Sequence, residues 1–423
     1  MEMIQRKTTQ DQSEAPWYVM LILLVAFIPA TGNRFLYSFI LLSTAQDWGV
    51  SSFWSAIIGY LPMAATPIGG FVFGSLSDRY GRRNALLLAI LVSGCGAGLT
   101  AFASGPLDFF LYRVLLGMST GGQWAVSMTL VSESYHPERR GRAVGVVQTS
   151  FPVGFLFASL IAYGAAGWVG WRGLLLLGAL PVVFALPLCL LLVRESPIWI
   201  RTASESKRQN PPYREIFRGA LRKNTLLGTT IMFLGAFGAW SVNPWIPVYL
   251  GDLGIPQGQI PWMTFLVMLG ALPGYLLYGV ISDRLGRKAT FRLYFSGMAL
   301  ALIGFGFFTS QSGWMGKTEV STFRILILGM PVTFFLGYFS GYGALFAELF
   351  PTRVRSRGIG FCYTMGGIGG GLGPAFTGHL SAGFGMGAAF MIAAVPFLIG
   401  SFFILLFPET RGKELTESMG QEK

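Results

Sequence analysis

The sequence predicts an all-α membrane protein of twelve helices in two pseudo-symmetric bundles of six, and three observations predict it. Of its 423 residues, 52% are hydrophobic and only 12% charged, too few charges to clothe a soluble globule of this length. Apolar stretches of roughly 20 residues, the length that crosses the hydrocarbon core of a bilayer, recur along most of the chain. A charged loop sequence also occurs twice, about half the chain apart.

The apolar stretches fall at 18–43, 53–76, 85–104, 108–131, 143–167, 172–193, 225–250, 262–281, 290–310, 323–347, 358–382 and 385–407. Residues 1–16 are polar. The stretch that follows is too long for a removable signal peptide and lacks a small-residue cleavage site, so it is expected to stay as the first span.

A net charge of +12 would suit nucleic acid, but the placement of the basic residues gives a different answer. With an inner N-terminus, inner segments carry Arg6 and Lys7; Arg79, Arg82 and Arg83; and Arg139, Arg140 and Arg142. They also carry Arg194, Arg201, Lys207, Arg208, Arg214, Arg218, Arg222 and Lys223; Arg284, Arg287, Lys288 and Arg292; Arg353, Arg355 and Arg357; and Arg411, Lys413 and Lys423. Outer segments hold Arg172, Lys317 and Arg324, while Arg34 and Arg113 lie inside spans. This positive-inside bias predicts a multi-pass protein of the plasma (inner) membrane, set in lipid, with both termini cytoplasmic and no nucleic-acid partner.

Cys95, Cys189 and Cys362 all fall in predicted spans without CxxC spacing, so neither a disulfide framework nor a zinc site is expected. The 57 glycines, clustered at Gly366–Gly373, suit close helix approach or bending. His136 belongs to an inner loop and His379 to the outer end of the eleventh span; His379 reads either as a sensor of outside pH or as a solvated side chain. There is no GxxxxGK[ST] loop for ATP phosphates. The spans hold no nucleophile with a base and no paired acids, so no cofactor, metal, catalytic residue or enzyme activity is expected.

The repeat organises the chain. GSLSDRYGRRNA from Gly74 returns as GVISDRLGRKAT from Gly279, each between the second and third spans of its half. ESYHPERRGRAVG from Glu133 matches ELFPTRVRSRGIG from Glu348, and RESPIW around Glu195 matches FPETRG around Glu409. The result is a bundle over 1–193, a basic central loop over 194–224, and a second bundle over 225–423, the parallel arrangement expected of a rocker-type carrier.

By the signature G-x-x-x-D-R-x-G-R-[RK], present in both halves, the chain resembles the major facilitator superfamily over nearly its whole length. The endings RESPIW and PETRGKEL resemble paired signatures of the sugar porter branch, with Arg194 and Ile198 as departures. GGQWAVSMTLVSE and VGVVQTSFPVG resemble the lactate, sialate and aromatic-acid proton symporters. Those usually carry Glu where Gln123 stands and D-G-x-D where this chain has GNRFLY; the QQLSG-like signature of sugar porters is absent from the seventh span. No Asp or Glu lies in the middle of any span.

The resemblance implies a cytoplasmic gate of two clusters, Asp78, Arg82, Glu133 and Glu195 in one and Asp283, Arg287, Glu348 and Glu409 in the other. The alternative is that these charges only solvate loops and fix topology. It also implies a cavity lined mainly by spans one, four, seven and ten. Asn33, Arg34 and Tyr37 lie on the first, where a costly intramembrane arginine reads either as a cation awaiting a carboxylate or as one that snorkels or pairs with Asp47. Pro244 and Pro247 break the seventh span, making Trp240, Asn243 and Trp245 candidate lining residues, or interfacial anchors in the case of the tryptophans. Gln123, Trp124 and Gln148 are further candidates. Arg113 of the R-x-x-x-G signature is implied in proton coupling, or orients helices through backbone carbonyls.

Together these features lead to a secondary transporter, a functional monomer that moves a small organic metabolite by alternating access. An organic or sugar acid carried with protons is expected, with sodium coupling or uniport left open by the lack of a mid-span acid; a neutral-sugar porter, a drug or metabolite exporter and, remotely, a solute sensor are the alternatives.

Overall fold

A computed structural model describes residues 17–50, 52–136, 138–205, 213–309 and 322–412. Arg6, Lys7, Lys207, Arg208, Lys317, Lys413 and Lys423, counted above for topology, lie outside the described residues.

Twelve helical traverses follow one another. The first is unbroken, Trp17–Trp48. The second joins Ser52–Tyr60 to Thr66–Tyr80 through a 3-10 turn at Leu61–Ala65, and the third and fourth are Arg82–Ala101 and Pro106–Ser134. Arg140–Gln148 and Ser150–Ala179 form the fifth, and the latter helix runs on into the sixth, interrupted only at Gly170, where φ is +63°. Pro181–Leu192 completes the sixth. In the second half come Gly219–Val242 with Ile246–Asp252, Ile260–Met268 with Ala271–Leu285, and Arg287–Thr309. Thr322–Phe335 with Phe339–Leu349, Arg355–Phe384, and Met386–Ile392 with Val395–Phe403 end the series.

Among the described residues, nine helices are long and apolar enough to cross a membrane by length and composition. The other three expected spans, the second, fourth and eleventh, are helical too. The second is interrupted by its 3-10 turn, while the fourth and eleventh carry polar groups and glycines that line contacts between helices. The protein is an integral multi-pass membrane protein.

Without a hydrophobic force between helices in lipid, close packing holds them, and small residues permit it. A Cβ at Gly121 would stand 2.0 Å from the Thr66 carbonyl oxygen of the second span. The Gly366–Gly373 cluster lies along the seventh span, where Cβ atoms at Gly369 and Gly373 would stand 2.7 and 2.5 Å from the Phe233 and Phe237 carbonyl oxygens.

Between the halves the chain forms a helix, Pro197–Glu205, where the sequence suggests only loop. Ser196 Oγ accepts from the Trp199 backbone N–H at 3.1 Å and caps it, and Trp199 Nε1 donates to the Asp78 carbonyl at 3.2 Å. The seventh span breaks where its prolines predict, through a 3-10 turn at Asn243–Trp245.

Candidate functional site

Two polar regions stand out, a layer of charges at the arginine-rich face and a cavity between the halves. The layer grows out of the repeated loops. Gly81 and Gly286 turn the chain between helices at φ of +102° and +95°, a backbone region that favours glycine. Each lies against a carboxylate: a Cβ would stand 2.2 Å from Glu195 at Gly81 and 2.7 Å from Glu409 at Gly286. Glu195 accepts the backbone N–H groups of Arg82 and Arg83 at 2.8 and 3.2 Å; Glu409 accepts those of Arg287 and Lys288 at 2.9 and 3.2 Å. In both cases a carboxylate sits at a helix N-terminus, which the unpaired N–H groups and the dipole favour. Burial pushes the Glu409 carboxyl up, but backbone N–H donors from Arg287, Arg411, Lys288 and Thr410 outweigh it and hold the group below the ordinary carboxylate range.

Above these anions lie two buried arginines. Arg82 holds Glu133 with two bonds of 3.1 Å and Asp78 with one of 3.0 Å. Arg287 holds Glu348 at 3.2 and 2.8 Å and Asp283 at 2.8 Å. The structure thus brings Asp78, Arg82, Glu133 and Glu195 together, and likewise Asp283, Arg287, Glu348 and Glu409.

Two arginines then join the halves. Arg355 donates to Glu133 at 2.7 Å and Arg140 to Glu348 at 3.0 Å, all four buried. The sequence reading missed both as site residues. The signal was present in the second repeat, where Arg140 answers Arg355 as Glu133 answers Glu348. Asp283 also accepts the backbone N–H groups of Gly141 and Arg142 across the interface at 3.1 and 3.0 Å, and the matching cross-half pairs Asp283–Arg142 and Asp78–Arg357 stand 3.9 and 3.5 Å apart at Nε.

Above the layer, further cross-half contacts close the same side. Ser356 Oγ donates to Thr129 Oγ1 at 3.1 Å, Gln148 Nε2 donates to the Phe339 carbonyl at 2.9 Å, and Trp124 stacks on Tyr363 with centroids 3.7 Å apart. Trp124 Nε1 donates to Gln148 Oε1 at 2.9 Å.

On this floor stands a cavity of about 780 Å³ including its open mouth, walled by Phe35, Phe151, Phe155, Met232, Trp240, Met268, Tyr275, Phe339 and Tyr363. Arg34, Thr66 and Asn243 bring most of the remaining polarity. The Arg34 guanidinium lies 3.8 Å from the centre of the Trp240 ring on the opposite half. Its Nε has no hydrogen-bond partner, and Arg34 has no ion-pair partner, among the described residues. Asp47 instead receives Trp171 Nε1 at 2.6 Å and Arg172 at 3.4 Å.

Of the other candidates, Asn243 lines the cavity, and its Oδ1 is buried without a partner among the described residues. Trp245 donates to the Pro374 carbonyl at 3.1 Å. Trp124 and Gln148 form the floor. Gln123 Nε2 donates to the Ala26 carbonyl at 2.6 Å, tying the fourth span to the first. Asn33 and Tyr37 turn away from the cavity: Asn33 Nδ2 donates to the Leu175 carbonyl at 3.4 Å and Tyr37 Oη to the Ser55 carbonyl at 2.6 Å. Arg113 is fully buried; its Nε donates to the Gly59 carbonyl at 2.6 Å, and its guanidinium lies 4.7 Å from the Tyr37 ring centre. Its two terminal nitrogens have no hydrogen-bond partner among the described residues. His136 and His379 are exposed, and the described residues contain no cluster of metal-ligating side chains.

A central cavity between two matching helical bundles, closed on one side by paired charges, defines a carrier of small solutes. The chain belongs to the Major Facilitator Superfamily, whose profile it matches over residues 22–258 and again over 229–422. It is 29% identical over 399 residues to a Cupriavidus pinatubonensis protein named "Probable 4-methylmuconolactone transporter", covering 91% of this chain and 89% of that one. It is 28% identical to the sialic acid transporter NanX of Escherichia coli, covering 86% and 88% of the two chains. Its fold matches a solved structure of the proton:xylose symporter XylE bound to 6-bromo-6-deoxy-D-glucose, with a TM-score of 0.79 at 19% identity over 94% of this chain and 97% of that one. The protein is a membrane transporter of small-molecule solutes and not an enzyme.

Proposed function

We propose that the chain carries small organic acids with a flat, apolar body across the plasma membrane by alternating access, with Arg34 binding the carboxylate. The observation that carries this reading is the Arg34 guanidinium in the cavity wall, without an ion-pair partner among the described residues. A guanidinium offers a carboxylate two parallel bonds, and the aromatic walls suit a planar body better than a polyol, whose hydroxyls would each need a partner. Relatives named for a muconolactone and for sialic acid support an acid. Asn243 and Thr66 serve as secondary polar contacts; Trp124 and Gln148 support the floor.

In this reading the positive-inside bias places the charge layer at the cytoplasm. The layer is the inner gate, and Glu133–Arg355 and Glu348–Arg140 break as the protein opens inward. Protons are the coupling ion, and Arg113, whose guanidinium keeps its own proton, takes part by orienting the fourth span against the second through the Gly59 carbonyl.

The test uses purified protein in liposomes with benzoate, sialic acid and xylose. Benzoate is expected to raise the melting temperature and to be taken up, and Arg34→Gln to abolish both effects while leaving insertion intact. Stabilisation by xylose alone would overturn the reading in favour of a neutral-sugar porter. Collapse of uptake by a protonophore tests the coupling.

A further inference from the structure

An alternating-access protein must return empty after releasing its solute, and a cavity built around a cation makes that step costly. In the closed cavity a bare guanidinium lacks both water and counter-charge. The geometry points to Trp240 as the answer: we infer that its indole face stands in for the solute's carboxylate on Arg34, and so decides whether the protein performs net transport or only exchange. This inference rests on the anion-binding reading above.

The guanidinium of Arg34 on the first span lies 3.8 Å from the Trp240 ring centre on the seventh, so the contact ties one half to the other. The indole is held for that purpose. Phe35 stacks parallel to it at 6.2 Å with an interplanar angle of 11°, and Gly370 of the eleventh span leaves room behind it, where a Cβ would stand 2.7 Å from Trp240 Cδ1. The helix containing Trp240 ends at Val242 and passes into the 3-10 turn at Asn243–Trp245, so a break in the span lies beside the contact. Tryptophan has the strongest π face for a cation, and the attraction grows when the pair is desolvated.

Stacking covers a flat face of the guanidinium, and Nε is buried without a partner among the described residues, so an entering carboxylate meets the terminal nitrogens that line the cavity. The loaded form therefore has two sources of compensating charge and the empty form one. Removing the indole weighs on the empty form, and only net transport requires that form to cross.

The test compares net uptake of labelled benzoate into empty liposomes with exchange into liposomes preloaded with benzoate. Trp240→Leu also trims the cavity wall and weakens benzoate binding in both modes, so both are measured at saturating benzoate; there net uptake is expected to slow roughly tenfold more than exchange, with Trp240→Phe between it and wild type in the order of cation–π strength. Equal loss of both modes in Trp240→Leu, with wild type active, overturns the stand-in role and leaves the anion reading intact. Wild-type exchange that survives Arg34→Gln overturns the anion reading itself. A measurement without solute guards against simple misfolding: melting temperatures of Trp240→Leu, Arg34→Gln and the double variant. Trp240→Leu is expected to lower the melting temperature of wild type and to have little further effect in the Arg34→Gln background. Additive effects overturn the proposal.

Discussion

The charge layer and the cavity above it satisfy their polar groups in opposite ways. In the layer every gate carboxylate meets an arginine or a row of backbone N–H groups, and the pattern is repeated in both halves. In the cavity the polar groups are few, are not repeated between halves, and stand partly unpaired: Arg34 Nε and Asn243 Oδ1 have no partner among the described residues. The difference teaches where each region finds its partners. The layer completes itself from within the chain, so it closes; the cavity leaves bonding capacity over, so it is suited to a guest.

Perturbing each region in turn should sharpen that contrast, most strongly in the layer. Glu133→Ala leaves the buried Arg355 guanidinium without its ion-pair partner and takes from Arg82 one of its two carboxylates. It is expected to cost about 3–5 kcal/mol, read as a large drop in melting temperature in detergent together with loss of transport. A melting temperature close to wild type would show that the network is not held as the geometry describes.

Gly81→Ala forces a side chain into a left-handed backbone position and toward Glu195. A loss of about 1–3 kcal/mol is expected in the same thermal assay, and Gly286→Ala should match it. Unequal losses would break the two-fold equivalence of the loops.

Glu409→Gln should have a smaller, pH-dependent effect. The native carboxyl lies below its ordinary value of 4.5 because backbone N–H donors outweigh burial. Its stabilisation is therefore present above that ordinary value and lost as pH falls through the depressed one. Melting curves of wild type and Glu409→Gln should differ at pH 7 and converge as the pH is taken below the carboxylate range.

The smallest effect on stability belongs to the cavity. Asn243→Ala removes a buried oxygen that has no partner among the described residues, so the melting temperature should shift by no more than the equivalent of about 0.5 kcal/mol, while benzoate uptake weakens. Marked destabilisation would mean that the cavity, like the layer, is part of the protein's internal framework.

Much of the layer was legible in the sequence because charged residues in an apolar chain are rare and their spacing repeats. Gly81 and Gly286, Asp78 and Asp283, Glu133 and Glu348 recur at matching places. The cross-half arginines Arg140 and Arg355 lie in the same repeat, but among many basic residues nothing in composition singled them out. The cavity was harder to read. Arg34 drew attention as an intramembrane charge, yet its neighbour Asn33, equally polar, turns to the Leu175 carbonyl instead. Helix Pro197–Glu205 was hidden in a basic stretch that reads as loop.

By itself the sequence determined the helices, the membrane as their solvent, the two-fold repeat and the set of charges that meet at one face. These follow from local properties: apolar length, helix-breaking glycine and proline, and the cost of charge in lipid. Only the tertiary structure decided that Arg355 reaches Glu133, that Tyr363 stacks on Trp124, and that Trp240 covers Arg34. The physical reason is rotational. A span apolar on nearly every face carries little information about which side meets a neighbour, and one residue of helical phase separates Arg34 in the cavity from Asn33 in the packing. Packing against the other half sets that phase, and with it the site.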